Sequence, residues 1–289
     1  MHARAVAATA TALLGAAALL SPVPAARAGD APEPTVLAHR GASGYAPENT
    51  LPAIDKAAAL GFTWVENDVQ RTKDGRLVVI HDDSLQRTTD VEQVFPGRAP
   101  WKVKDFTAAE IARLDAGSWF SRSCTGTRVP TLAQYMRRVE HNHEKLLLEI
   151  KNPELYPGIE QQILKLLGNE GWLDGRHLDR LVVQSFSADS LRIVHGLRPA
   201  VTTGYLGTPS TASLPRYAGF ADLINPSVDS ISPDYVKTVH SFDGPHGRPL
   251  RVFTWTVNDA VTTWKAVGYG VDGIISNRPD VVRAALRAS

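Results

Sequence analysis

Two histidines and three carboxylates are the residues of this chain whose types and spacing could perform chemistry. They are His39, Glu66, Asp68, His81 and Glu149, and each closes a short apolar, strand-like run. Three carboxylates can together hold a hard divalent cation, because Mg²⁺ and Ca²⁺ prefer oxygen ligands. Histidine titrates near neutral pH, so two histidines can move protons beside such an ion. This combination suits the hydrolysis of a phosphate ester.

The spacing of the acids supports a shared site. Glu66 and Asp68 are two residues apart, so their side chains share one face of a strand. Two acids on one face of a buried strand are costly unless a cation offsets their charge. Glu149 follows three leucines and is expected where another buried strand reaches the surface. With no cysteine among them, the three acids favour Mg²⁺ or Ca²⁺ over zinc, and the sequence does not choose between these two ions.

Two cations and one tryptophan are candidates for substrate contacts. Arg40 follows His39 and could hold a phosphate with two hydrogen bonds, or could brace an acid. Lys151 has the strand parity of Glu149 and could hold that carboxylate or a phosphate oxygen. Trp255 ends an apolar run and could line the pocket, where it would suit a choline group, or could pack in the core.

Strand-like runs alternate with helical patterns along most of the chain. The expected strands cover residues 36–40, 63–69, 76–81, 145–150, 181–186, 201–206, 221–224, 251–257 and 272–276. The expected helices cover residues 47–60, 131–139, 159–167, 187–196, 233–240, 259–267 and 279–287. Repeated strand-then-helix order implies a parallel sheet, and this many units predict an α/β protein with a closed (β/α)8 TIM barrel. Such a barrel collects the ends of its strands, and therefore the candidate residues, at one rim.

Nine strand-like runs compete for eight barrel positions. The connection between the second and third runs is too short for a crossover helix. We therefore expect residues 70–79 to form a hairpin-like excursion that returns His81 over the rim. Residues 83–128 lack the alternation and are interpreted as an insertion after the third extended segment, either a lid or a small subdomain.

The beginning of the chain has the pattern of a secretory signal peptide, residues 1–28. Arg4 precedes an apolar run that ends at Leu20, and small residues offer a cleavage site at Ala28. This run is shorter than the roughly 20 residues of a membrane span, which favours export over a membrane anchor. Residues 29–289 would then form one barrel domain, and the protein is expected to be secreted, either extracellular or periplasmic.

The charge and cysteine content of the chain indicate which kinds of binding partner to expect. The formal net charge is +1, which gives no sign of binding to nucleic acid or to an anionic membrane. A single cysteine, Cys124, allows no internal disulfide. We expect a small-molecule substrate, with no stable membrane insertion and no obligate protein partner.

At the candidate residues the chain resembles the glycerophosphodiester phosphodiesterase family, in its secreted bacterial form. The resemblance covers nearly all of the predicted mature protein. Its main segments are AHRGASGYAPENTLPAIDKAAALG (38–61), VENDVQRTKDGRLVVIHDDSLQRTTD (65–90), LLLEIKN (146–152), FTWTVND (253–259) and GVDGIISNRPD (270–280). The order H-R-G, P-E-N-T, E-x-D and H-D at this spacing is highly specific.

The resemblance implies a barrel of the phospholipase C-like phosphodiesterase type with one divalent cation, Ca²⁺ or Mg²⁺. It implies that the metal ligands are Glu66, Asp68 and Glu149. It also implies that His39 and His81 form the acid/base pair, and that Arg40 and Lys151 contact the phosphate. The implied reaction is metal-dependent hydrolysis of a glycerophosphodiester, such as glycerophosphocholine, to glycerol 3-phosphate and an alcohol. The histidines could serve a direct route or one through a cyclic phosphate.

Two departures and three alternatives accompany this interpretation. Asn67 stands where the family usually has an apolar residue, and is expected to point away from the metal. Ser276-Asn277 stands where many members have Thr-Asp. The alternative functions are a lysophospholipase D or phospholipase D-like enzyme acting on lipids, and a non-catalytic glycerophosphodiester-binding protein. A metal-free phospholipase C-like mechanism would leave the three acids without a joint purpose.

Overall fold

The computed structural model of the protein describes residues 32–288. The strands are β1 (Thr35–Ala38), β2 (Trp64–Arg71), β3 (Leu77–Val79), β4 (Lys145–Ile150), β5 (Leu181–Ser185), β6 (Thr202–Leu206), β7 (Leu223–Asn225), β8 (Arg251–Thr254) and β9 (Gly273–Ser276). The helices are α1 (Leu51–Ala59), α2 (Val91–Val94), α3 (Ala108–Ile111), α4 (Leu132–His141), α5 (Ile159–Asn169), α6 (Ala188–Leu197), α7 (Leu214–Ala218), α8 (Pro233–His240), α9 (Ala260–Tyr269) and α10 (Pro279–Arg287). The predicted signal peptide, residues 1–28, lies outside the described residues.

Eight parallel strands close into a barrel in the order β1, β9, β8, β7, β6, β5, β4, β2. The barrel closes between β1 and β2, which pair at Ala38 and Val65. The predicted (β/α)8 TIM barrel is confirmed. The remaining strand, β3, runs antiparallel to β2 and pairs Val79 with Val69. The predicted hairpin therefore accounts for the ninth strand-like run.

Helix α1 begins later than its sequence pattern predicts. The prediction placed its start at Pro47, but the helix begins at Leu51 after Thr50 in an extended conformation. The cause is Asn49, whose φ of 60° is incompatible with a helix. By contrast, α4 begins at Leu132, one residue after its predicted start, because Thr131 is the N-cap and forms a capping box with Gln134.

The barrel interior is filled by apolar side chains from strands around its circumference. This interior cluster consists of Leu37, Leu147, Val182, Leu223, Phe253 and Ile275. Burial of each such side chain contributes about 1.5–3 kcal/mol. Larger apolar clusters fill the space between the strands and the surrounding helices. The packed interior makes the barrel solid, with no channel through its centre.

The segment 83–128 forms α2, α3 and several single turns, and it contains no strand. It has an apolar cluster of its own, which includes Leu85, Phe106 and Leu114. Val78 in β3 and Ile80 directly after it belong to the same cluster. The segment is thus packed onto the hairpin that precedes His81. Its role as a lid stays a prediction. Among residues 32–288, no helix has the length and apolar character that crossing a membrane requires.

Candidate active site at the carboxyl rim of the barrel

The three predicted acids meet at the carboxyl ends of two adjacent strands. Glu66 and Asp68 lie on β2, and Asp68 is paired in register with Glu149 on β4. One carboxylate oxygen from each acid lies within 4.8 Å of the others, and all three side chains are buried. Glu66 Oε1 and Asp68 Oδ1 have no hydrogen-bond partner among the described residues. These buried oxygens are available to ligate a cation.

The electrostatics of this cluster are those of acids forced together away from water. Burial, together with the charges of Asp68 and Glu149, raises the pKa of Glu66 well above its usual range. Burial and the charge of Asp68 raise the pKa of Glu149 to about 8. Burial acts on Asp68 in the same direction, but Arg40 and Lys151 outweigh it and lower that pKa. A divalent cation would offset this repulsion, so the donor set fits a hard ion such as Mg²⁺ or Ca²⁺.

Both predicted cations brace the acids. Lys151 Nζ lies 2.8 Å from Glu149 Oε1 and 3.8 Å from Asp68 Oδ1. Arg40 Nε lies 3.4 Å from Asp68 Oδ2, and its backbone N–H donates to Glu66 Oε2 at 2.8 Å. Of the two interpretations of Arg40, the structure shows the acid-bracing contact directly. Both side chains also line the pocket described below, where a phosphate could reach them.

His39 lies one residue beyond β1 and is held by the end of β9. Its backbone N–H donates to the Ser276 carbonyl at 2.8 Å, and its Nδ1 lies 2.6 Å from Asn277 Oδ1. Because an amide oxygen can only accept, Nδ1 carries the proton and Nε2 keeps its lone pair. Nε2 lies 3.9 Å from Glu66 Oε2. Burial and the neighbouring Arg40 lower the pKa of His39 to about 4, which leaves it neutral and able to accept a proton.

His81 follows β3 and therefore reaches the rim from the hairpin, without belonging to a barrel strand. Its Nδ1 lies 2.6 Å from Asp82 Oδ1. The hydrogen bond from His81 lowers the pKa of Asp82 well below its usual range; burial opposes this, and Arg87 reinforces it. Gln70 Nε2 donates to the His81 and Asp82 carbonyls at 2.9 and 2.5 Å. The hairpin thus holds His81 with its Nδ1 on the Asp82 carboxylate.

A single pocket brings most of the predicted residues together. Its lining includes both histidines, Arg40, Glu66, Glu149, Lys151 and Trp255. Asp68 lies behind this surface, against Arg40 and Lys151. Trp255 donates from Nε1 to the Asn225 carbonyl at 2.8 Å, and its ring stands edge-on to Phe186 with 5.8 Å between centroids. Phe186 is 51% exposed, so the two rings form an aromatic side of the pocket.

Several supporting residues were missed in the sequence. Asn49 donates from Nδ2 to Asp68 Oδ2 at 2.7 Å and accepts from the Asp68 N–H at 3.2 Å. Its place in P-E-N-T, and that of Asp82 directly after His81, were signals that could have identified both. Asn277 is 238 positions from His39, and no local pattern connects the two.

Gln184 is a further pocket residue that the sequence analysis did not single out. It lies on β5 and its Oε1 accepts from Asn225 Nδ2 on β7 at 2.8 Å. The strand between them, β6, carries Gly204 at the crossing point, where a Cβ atom would lie 2.8 Å from Asn225 Nδ2. The glycine leaves room for this amide pair, which fixes the orientation of Gln184 at the pocket.

A second groove lies around the start of β6 and β8, at the opposite end of the barrel. It is lined in part by Asp222, His246 and Arg248, and His246 Nδ1 lies 2.7 Å from Asp222 Oδ1. Within residues 32–288, the one group of three metal-ligating side chains close enough to share an ion is Glu66, Asp68 and Glu149. The carboxyl-end pocket is therefore the better candidate for catalysis.

Comparison with known proteins agrees with this geometry. The model of the "Glycerophosphoryl diester phosphodiesterase family" matches residues 39–281. Glycerophosphodiester phosphodiesterases of Bacillus subtilis and Caldanaerobacter subterraneus subsp. tengcongensis are 34% and 35% identical to this chain. The first alignment covers 91% of both proteins, and the second covers 86% of this chain and 95% of the relative.

A solved structure shows the same architecture. It is an Oleispira antarctica phosphodiesterase in complex with the product sn-glycerol-3-phosphate. The TM-score is 0.74 at 28% identity, and the alignment covers 88% of this chain and 97% of the other. The family match spans every residue of the carboxyl-rim cluster, from His39 to Asn277. This chain is therefore an enzyme that belongs to the glycerophosphoryl diester phosphodiesterase family.

Proposed function

We propose that the protein hydrolyses glycerophosphodiesters, such as glycerophosphocholine, to glycerol 3-phosphate and an alcohol, using one divalent cation and two histidines. The observation that carries this proposal is the buried cluster of three carboxylates flanked by His39 and His81 in one pocket. The glycerol 3-phosphate found in the Oleispira antarctica relative supports the substrate class.

The cation would be held by Glu66, Asp68 and Glu149. When bound, Mg²⁺ or Ca²⁺ supplies positive charge for the nonbridging phosphate oxygens and offsets the charge that grows in the transition state. Arg40 and Lys151 lie on the same side of the pocket and would bind and orient the phosphate. Trp255 and Phe186 would contact the alcohol group, where their ring faces suit a quaternary ammonium.

The partners of the two histidines distinguish their roles. His39 donates from Nδ1 to a neutral amide, so its Nε2 can take the proton of the attacking hydroxyl or water. His81 donates from Nδ1 to the carboxylate of Asp82, so its Nε2 is the ring nitrogen left to carry a proton to the leaving oxygen. We therefore assign His39 as the general base and His81 as the general acid.

The first test is glycerol 3-phosphate release from glycerophosphocholine by the purified protein. EDTA should stop the release, and either Ca²⁺ or Mg²⁺ should restore it. Unchanged release in EDTA would contradict the metal dependence. Absence of release with every ion would contradict the proposed substrate, and release of choline from lysophosphatidylcholine would then favour the lipid-active alternative.

Variants separate the two kinds of site residue. Replacing His39 or His81 with alanine should lower kcat by about 10²–10⁴-fold, because proton transfer is lost while the ligands remain. Glu66→Gln should lose both turnover and cation affinity, since it removes a ligand charge. Calorimetric titration with Ca²⁺ and Mg²⁺ measures the affinities. Normal turnover in either histidine variant would contradict the acid/base assignment.

We also propose that the protein is exported after cleavage near Ala28. The support is the sequence pattern of residues 1–28 alone. Mass spectrometry of the protein recovered from outside the producing cell should give a mature chain that begins at Gly29. Recovery of the uncleaved chain from the cytoplasm would contradict export.

A further inference from the structure

Arg87, in the segment 83–128, joins two acids that belong to different parts of the site. Its Nε and Nη2 donate to Asp82 Oδ2 and Oδ1 at 2.7 and 3.1 Å. Its Nη1 and Nη2 donate to Glu48 Oε2 and Oε1 at 3.0 and 2.7 Å. The side chain is 44% exposed, yet every nitrogen of its guanidinium is hydrogen-bonded. Four bonds from one guanidinium fix the separation of the two carboxylates.

Each of these acids holds a residue that faces the pocket. The Oδ1 atom of Asp82 lies 2.6 Å from the Nδ1 atom of His81. Glu48 accepts from Nη1 of Arg40 at 2.9 Å. Arg87 thus binds both acids: Asp82, which holds His81, and Glu48, which holds the candidate phosphate contact Arg40. Its hydrogen bonds go to these two acids and not to His81 or Arg40.

His81 needs such a support more than His39 does. His39 sits at the end of a barrel strand, with hydrogen bonds to two consecutive residues of β9 and its loop. His81 stands on the hairpin, and Asp82 is its one side-chain hydrogen-bond partner within residues 32–288. The Asp82 side chain is 29% exposed and free to rotate toward water without Arg87. Loss of that partner would release the ring of His81 from its orientation.

The backbone around Arg87 is rigid enough to serve as an anchor. Leu85 is fully buried in the apolar cluster of the segment, and its N–H donates to the Trp101 carbonyl at 2.9 Å. Thr89, on the other side, is also buried, and its hydroxyl donates to the Leu85 carbonyl at 2.6 Å. Arg87 therefore projects toward the site from a turn that is packed on both sides.

We propose that Arg87 is a positioning residue, which holds Asp82 so that the Nε2–H of His81 points at the leaving oxygen. The inference rests on the proposed role of His81 as the general acid. As the bond from phosphorus to the leaving oxygen breaks, its electron pair stays on that oxygen, which takes the proton from Nε2. His81 becomes neutral and keeps its Nδ1–H on Asp82, which remains a carboxylate. The segment 83–128 thereby contributes to catalysis through one side chain.

The test compares two esters with different leaving groups. Glycerophosphocholine releases choline, which needs a proton to leave, whereas glycerol 3-phosphate p-nitrophenyl ester releases a stable phenolate that does not. Arg87→Gln should lower kcat on the choline ester by about 100-fold, the size expected for misplacing a catalytic group by about 1 Å. Its kcat on the nitrophenyl ester should stay within about threefold of the wild type, because no acid is required there.

Three further variants complete the design. Asp82→Asn should show the same dependence on the leaving group, and Arg87→Gln added to it should cause no further loss, because both act on one group. Arg87→Lys, which keeps the charge without the four-bond geometry, should fall between wild type and Arg87→Gln. Arg98→Gln is the matched control, because Arg98 lies in the same segment but pairs with Glu110 and packs over Phe106.

The outcomes separate this inference from the function on which it rests. Equal losses on both esters would overturn the positioning role, because a misfolded site or a lost phosphate contact affects both substrates. Wild-type rates for Arg87→Gln on both esters would also overturn it. A wild-type protein that releases glycerol 3-phosphate from neither ester would overturn the proposed function, and this inference with it.

Discussion

At the scale of single residues, the site is held together by side chains that pair across large separations in sequence. Asp68 alone is held by Arg40 and Asn49 from the connection between β1 and α1, and by Lys151, which follows β4. Glu66 is held by the backbone of Arg40, and its Oε1 has no hydrogen-bond partner in the described part of the chain. These contacts fix the orientation of the acids, and one oxygen from each of Glu66, Asp68 and Glu149 lies within 4.8 Å of the others.

Asn67 contrasts with the acids on either side of it. Its side chain points to the opposite face of β2, as expected, between the positions of Val65 and Val69 in the apolar layer under the helices. It is fully buried, and neither atom of its amide group has a hydrogen-bond partner among the described residues. An unpaired buried amide costs about 1–3 kcal/mol.

Replacing Asn67 with valine should therefore stabilise the protein. We expect the free energy of unfolding to rise by about 1 kcal/mol, because the unpaired amide is lost and an apolar group is gained. Activity should be unchanged, since the side chain faces away from the pocket. Urea unfolding measures the effect, with Asn67→Asp as a control that should destabilise. A lower midpoint for the valine variant would contradict this account.

At the scale of elements, β6 contributes a glycine at the position where two side chains from its neighbouring strands meet. Gly204 has no side chain, and the Gln184–Asn225 amide pair crosses β6 at that point. Gln184 lines the pocket, so the absence of a side chain at Gly204 allows Asn225 on β7 to orient a pocket residue on β5.

Gly204→Ala should disturb both packing and activity. The new methyl group would meet Asn225 Nδ2 at 2.8 Å, so we expect a loss of about 1–3 kcal/mol in stability, together with a lower kcat/KM. Gly268→Ala in α9 is the matched control, because its Cβ would meet no heavy atom within 4 Å. That variant should gain up to about 1 kcal/mol from helix propensity. Similar thermal midpoints and activities for the two variants would contradict the role of Gly204.

Strand β4 begins directly after Glu144, a carboxyl group whose ionisation is disfavoured by burial. Glu144 precedes β4 and is buried, and its Oε1 has no partner among the described residues. Burial raises the pKa of Glu144 to about 8; a hydrogen bond from Asn142 opposes this, and the charge of Asp55 adds to it. In the unfolded chain this carboxyl group titrates near its ordinary value of about 4.3.

Stability should consequently fall as the pH rises through this window. Between about pH 4.3 and 8 the unfolded chain gives up a proton that the folded protein keeps, so the unfolded state gains from each increase in pH. Glu144→Gln removes this contribution and should be more stable than the wild type at pH 8, with little difference at pH 4. Thermal unfolding at both values checks this, with the exposed Glu33→Gln as control. A pH-independent difference would contradict the assignment.

The sequence predicted most elements of the barrel and five polar residues that the structure brings to one rim, but it did not predict the side chains that support them. Apolar runs bounded by turn residues predicted the bounds of β4, α8 and α10 without error, because burial and capping are local signals. The start of α1 was missed because Asn49 takes its conformation from a contact with Asp68, which lies on another strand. The contacts of Asn277 and Arg87 depend on the closed barrel, which no local pattern contains.

At the scale of the whole molecule, cation binding and barrel stability should be coupled. The acids lie beside the junction of β1 and β2, where the barrel closes through one residue pair and through side-chain contacts. An ion that binds there would bind the folded state alone and stabilise all of it.

Removing the cation should therefore lower the thermal midpoint of the entire barrel. At a concentration of Ca²⁺ or Mg²⁺ about 100 times the Kd, the ion should add about 2.7 kcal/mol. Differential scanning calorimetry in EDTA and in each ion measures this. Glu66→Gln should abolish the cation-dependent increment, while relief of repulsion among the acids raises its stability in EDTA. Identical midpoints with and without ions in the wild type would contradict a metal site.

The pairing of β1 with β9 has a consequence for the order in which the protein is made. Thr35–Ala38 pairs over its whole length with Gly273–Ser276, and His39 donates hydrogen bonds to Ser276 and Asn277. A ribosome produces the first of these strands early and the last one about 240 residues later. The segment around His39 cannot make these contacts until translation has passed Asn277, so premature termination anywhere before that codon yields a product in which His39 lacks both hydrogen bonds.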